Sequence, residues 1–179
     1  MNEMSKPTAA IKGQDHWTTK DGGVKLFLFE KCAGDPAKSI GTILFVHGSS
    51  MASQPTFDLQ VPDRPDSSAM DHFARRGYDC WCVDMEGYGR STKDRDNNAP
   101  ISQGADDCYA AALYIQKLRG KRPFLVYGIS SGALRAAMFA ERHPELLARL
   151  ALDAMVWTGE GSPTLEQRRK KLPEFQSKN

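Results

Sequence analysis

The stretch Pro123-Phe124-Leu125-Val126-Tyr127-Gly128-Ile129-Ser130-Ser131-Gly132 decides how this chain folds. An apolar run of strand length ends at Ser130, and the Ala-rich segment Ser131 to Arg142 that follows has the composition of a helix. A serine caught between a buried strand and a helix sits on a sharp turn that lifts its hydroxyl above the sheet. Gly128 and Gly132 fit that turn, because side chains two places before and two places after the serine would collide with its backbone. The G-x-S-x-G letters recur by chance, so the strand-to-helix context carries the argument; the competing reading is a tight glycine turn with an inert serine.

The helix after Ser130 adds an electrostatic effect. Its N-terminal amides have no partner within the helix and its dipole favours negative charge, so the N–H of Ser131 is placed to receive an oxyanion.

Working outward, the same kind of apolar run recurs at Gly23 to Cys32, Gly41 to His47, Asp79 to Met85 and Ala148 to Met155. Helical patterns lie between the later ones, at Asp66 to Arg76, closed by Gly77, and at Ser102 to Leu118, closed by Gly120. Strands alternating with helices need crossover connections, which gives an α/β class with a mostly parallel sheet and helices on both faces. Residues 1–14 read as an N-terminal tail and 15–156 as one core domain. After Trp157 the texture changes: glycines and Pro163 precede a charged segment, Leu165 to Lys171, read as one polar helix capped by Ser162.

Composition narrows the function classes. The chain has 179 residues, 40% hydrophobic and 26% charged, as expected of an ordinary globular domain. Lys and Arg total 24 against 22 for Asp and Glu, and a net charge of +2 gives no broad attraction for nucleic acid or an acidic membrane. No apolar run approaches the roughly 18 residues that span a bilayer. The polar start with Pro7 lacks the form of a secretory signal, so a cytoplasmic location is expected. Cys32, Cys80, Cys82 and Cys108 form no C-x-x-C pair, so no metal site is read, and Cys80 and Cys82 are expected as small core residues on one strand face. Oligomeric state is left open.

Two further motifs join the elbow at Ser130: His47-Gly48-Ser49-Ser50 after a buried strand, and Asp84-Met85-Glu86-Gly87-Tyr88-Gly89-Arg90-Ser91 after the next. Together they resemble the α/β-hydrolase superfamily, over roughly Asp21 to Trp157 and in that family's order. A dinucleotide loop at Gly87 and Gly89 is the weaker reading, since no third glycine follows at the required spacing. The resemblance implies Ser130 as nucleophile, with the amides of Ser131 and Ser49 as oxyanion donors and Ser50 as the alternative to Ser49. It implies His47, Gly48, Gly128 and Gly132 as support for the elbow, and a structural role for the Asp84 turn. It further implies an ester, lactone or related small acyl substrate, an acyl-serine intermediate, no metal or organic cofactor, and residues 157–179 as the beginning of a lid.

The family's triad runs Ser, then Asp or Glu, then His. Beyond Ser130 the chain has only His143, 13 positions along. At the far end of the elbow helix that is about 20 Å away, too far for a base. His143 reads as a helix end, while His16 and His72 read as surface residues of the tail and a helix. His47 reads as scaffold, with a substitute base as the other possibility. Asp153, at the end of the strand after the elbow helix, is the candidate acid; the alternative is a loop-capping carboxylate. Without its histidine the serine stays protonated, so the chain is expected to be an N-terminal part of a longer enzyme, nearly inactive as written. The rival expectation is a non-catalytic binding protein or a partial domain.

Overall fold

The apolar runs assemble into one sheet in the computed structural model, which describes residues 11–64, 66–95, 99–156 and 158–176. Six strands take part: β1 (Gln14–Lys20), β2 (Val24–Lys31), β3 (Gly41–Val46), β4 (Tyr78–Val83), β5 (Phe124–Ile129) and β6 (Leu147–Asp153). Their spatial order is β1-β2-β4-β3-β5-β6. β4, β3, β5 and β6 run parallel to one another, whereas β1 and β2 pair antiparallel and β2 joins β4 antiparallel.

Alternation along each strand sends side chains to opposite faces, and each face acquires its own helices. On one side Leu26, Leu28, Leu44, Val46, Trp81, Val83 and Val126 pack under α3 (Ile101–Arg119) and α4 (Ser131–Arg142). On the other, Phe27, Phe29, Ile43, Phe45, Cys80 and Cys82 meet α1 (Ser53–Phe57) and α2 (Ala69–Ala74). Cys80 and Cys82 therefore share a face, and burial pushes both thiols up, that of Cys82 to about 12.

β1 is an element the sequence reading did not supply. Of its residues only His16 is buried, so it carries no apolar alternation. The surface reading of His16 is also corrected: the ring lies at 8% exposure, with Nε2 2.8 Å from Glu30 Oε2 and Nδ1 3.1 Å from the Tyr114 hydroxyl. Residues 1–10 of the expected tail lie outside the described residues, as does Trp157.

Lys31 ends β2 with its ammonium buried between Asp58 at 2.6 Å and Asp71 at 2.8 Å, and Ser68 donates to Asp58 at 2.6 Å. A buried charge needs such partners, and here they tie the loop before α2 to the sheet. At the opposite margin β6 is the outermost strand and almost wholly exposed. An open apolar groove, walled by Ile43, Phe45, Phe73, Leu125 and Tyr127, runs beside it. The charged segment after Ser162 lies within α5 (Pro163–Gln176), whose Leu165 amide bonds the Ser162 hydroxyl at 3.4 Å. Among the described residues no helix is long and apolar enough to cross a membrane.

Candidate active site

Ser130 occupies the single residue between β5 and α4, with φ 57° and ψ −126°. A non-glycine residue rarely adopts this conformation, which costs on the order of 1–3 kcal/mol and persists only where the surroundings enforce it. Here the Ser130 amide donates to the Asp153 carbonyl at 2.9 Å, and the Ser130 carbonyl accepts from the Ala133 amide at 3.0 Å. The side chain is exposed.

The flanking glycines are required by contact. A Cβ on Gly132 would lie 2.3 Å from the Val46 carbonyl oxygen and 2.5 Å from that of His47. One on Gly128 would lie 2.5 Å from the Gly132 carbonyl oxygen and 2.8 Å from the Ala136 methyl. The elbow thus presses directly on the end of β3. Gly48 completes the approach: a Cβ there would sit 3.2 Å from Ser130 Cβ and 3.6 Å from Ser130 Oγ.

No side chain caps α4, and of its first-turn amides only that of Ala133 is taken up by the Ser130 carbonyl, so the Ser131 amide remains available to an acceptor. The Ser131 hydroxyl is buried and has no hydrogen-bond partner among the described residues. Ser49, next to Gly48, is exposed. The structure thus gathers Ser130, Ser131, Gly48, Gly128 and Gly132 at one bend, with Ser49 on the adjoining segment.

His47 is wholly buried, and both its nitrogens are committed to the main chain. Nδ1–H donates to the Gly48 carbonyl at 2.6 Å, and Nε2 accepts from the Met85 amide at 3.0 Å. Burial pushes its pKa down, and the positive charge of Arg135 adds to that effect. A neutral ring with no free nitrogen is a brace for the loop and has nothing with which to take a proton from Ser130. The Asp84 carboxylate is a second brace. One oxygen accepts from the Ser53 amide (2.8 Å) and hydroxyl (2.6 Å), and the other from the Arg90 amide at 2.9 Å, fastening the glycine turn to α1.

The remaining histidines are elsewhere. His143 ends α4, stacked on Tyr109 at 3.9 Å between centroids; His72 is exposed on α2; His16 is held by Glu30. The chain has 4 histidines, and all are accounted for away from the Ser130 hydroxyl. Asp153 is exposed, and its carboxylate accepts from the Tyr127 hydroxyl at 2.5 Å. Burial, with the Asp153 charge adding, pushes that phenol up to about 12.

Sequence reasoning passed over Tyr127 and Arg135. The second was detectable, because Arg135 falls at helical spacing with Gly132 and Phe139 on the stripe that faces the sheet.

A family model described as the alpha/beta hydrolase fold matches residues 41–179. No curated protein matches the chain. Among solved structures, it is similar to a carboxyl esterase from Bacillus coagulans at 19% identity and TM-score 0.67, covering 94% of this chain and 52% of that one. It is similar to a bacterial membrane phospholipase A at 24% identity and TM-score 0.64, covering 88% and 45%. An epoxide hydrolase from Vigna radiata matches at 18% identity and TM-score 0.58, covering 89% and 46%. The chain therefore spans about half the length of these structures, and the likeness is one of fold.

Proposed function

This chain belongs to the α/β-hydrolase family, and on that premise we propose that it carries the nucleophile of a serine hydrolase acting on an ester, lactone or related acyl compound. Ser130 Oγ attacks the carbonyl carbon, the carbonyl electrons move to oxygen, and the amides of Ser131 and Ser49 receive the oxyanion. Expulsion of the alcohol leaves an acyl-serine, which water releases as the acid. The observation that carries this reading is the backbone at Ser130: φ 57° on an exposed serine, wedged between an uncapped helix and Gly48.

The serine proton needs an acceptor. His47 is fully bonded and the other histidines are remote, so the described residues do not supply one. We infer slow chemistry for this chain by itself. Asp153 has two readings, an acid that orients a base or the anchor of the Tyr127 hydroxyl. Residues 157–179, α5 among them, are assigned to the start of a lid. The want of a base also favours a second reading, a protein that keeps the pocket for binding alone or serves as a partial domain.

A fluorophosphonate probe with peptide mapping separates the two. The hydrolase reading expects a slow adduct confined to Ser130, accelerated by added imidazole and absent from Ser130→Ala. Scattered adducts, or none after prolonged exposure with imidazole, overturn it in favour of the binding protein.

A further inference from the structure

Arg135 lies at 2% exposure in the second turn of α4. The other buried cation among the described residues, Lys31, sits between two carboxylates. Arg135 has none within ion-pair distance among the described residues. Its Nη1 donates to the His47 carbonyl at 3.2 Å, its Nε is buried without a partner among the described residues, and its guanidinium carbon lies 5.3 Å from the centroid of the Tyr88 ring. The Tyr88 ring in turn stands edge-on to the His47 ring, with centroids 4.9 Å apart. Space for the side chain is provided by Gly104 on α3, where a Cβ would lie 2.4 Å from Arg135 Cδ.

An unneutralised buried cation is costly, and a neutral donor would hold the His47 carbonyl with less desolvation. The position of the charge explains its presence. It is fixed to the residue that precedes Gly48-Ser49, beneath the first turn of the helix headed by Ser130 and Ser131. Negative charge that develops at Ser130 during acyl transfer is attracted to it, in an interior where such attraction is weakly screened.

We propose that Arg135 is a positioning residue of the oxyanion site: it holds the His47-Gly48-Ser49 segment by its hydrogen bond and supplies a permanent positive charge that favours a tetrahedral anion on Ser130. This rests on the reading of Ser130 as the acyl-accepting nucleophile.

Phenylboronic acid tests it without needing a catalytic base, because addition of the serine oxygen to boron, with the hydroxyl proton released to the buffer, gives a tetrahedral boronate anion. Boron-11 NMR of the full chain detects the adduct, and titration gives its affinity. Loss of the charge in Arg135→Met is expected to weaken the adduct roughly tenfold to thirtyfold, and Arg135→Lys is expected to restore most of it. A purely structural role predicts that both variants lose affinity in step with their stability, and that result overturns the proposal, as does unchanged affinity in Arg135→Met. If Arg135→Met does not fold, Gly104→Ala displaces the guanidinium from the α3 side; weakened boronate binding supports the proposal and unaltered binding overturns it. A wild-type chain whose boronate signal is absent, or survives Ser130→Ala, overturns the nucleophile reading itself and this inference with it.

Discussion

Replacing Ser130 by glycine should make the protein more stable while abolishing any chemistry at that position. Ser130 is held at φ 57° and ψ −126°, where a Cβ is strained by about 1–3 kcal/mol. Glycine removes that strain and costs about 0.5–1 kcal/mol through the greater freedom of the unfolded chain. The serine side chain is exposed, so little packing is lost with it. The net expectation is a gain of up to about 2.5 kcal/mol. For a chain of 179 residues, each kcal/mol moves the melting temperature by about 2–4 °C, which puts the rise at up to about 10 °C. Ser130→Ala is the control, since it deletes the hydroxyl but keeps the Cβ and the strain. Thermal melts by circular dichroism, with urea titrations for the free energies, should rank glycine above both alanine and wild type. A glycine variant that melts with or below the alanine variant refutes the view that this bend stores strain.

Two other outcomes follow from the packing and the buried charges. Gly132→Ala drives a methyl into the Val46 and His47 carbonyl oxygens, so it should destabilise by about 1–3 kcal/mol in urea unfolding; an unchanged midpoint would mean that the elbow does not press on β3. Asp79, buried and beside the Glu30 carboxylate, is pushed up to about 7. Between the unfolded value of about 3.9 and that level, the folded chain binds more protons, so this group's contribution to stability is lost as pH rises through the window. Relative to Asp79→Asn, the wild type should lose stability between pH 5 and pH 7; parallel stability curves for the two proteins would contradict it.

The parts of the molecule that sequence patterning reveals are those where one hydropathy pattern or one spacing carries the information. β3 and β4 are strands buried on both faces, β5 is buried on one face and half-buried on the other, all three read as largely apolar runs, and the elbow at Ser130 is a spacing of glycines around a serine. β1 escapes because its one buried residue is a histidine, made acceptable in the core by Glu30 and Tyr114, partners distant in sequence. Lys31 escapes for the same physical reason, and for Arg135 the helical spacing marks an inward position while leaving its partners unread. A charged residue in a patterned segment reads as surface until the fold shows which groups surround it. His47 was open to two readings in sequence, and the choice between brace and base rests on the Met85 and Gly48 main-chain bonds, which only the folded chain displays.

The Ser130 amide is tied to the Asp153 carbonyl, and Asp153 closes the strand at the margin of the sheet. The steadiness of the reactive bend is therefore tied to an edge ribbon that is exposed along almost its whole length. Fraying at that border would loosen the serine before it disturbed the interior, and a molecule that laid another strand along the border would sharpen the serine's aim without touching it.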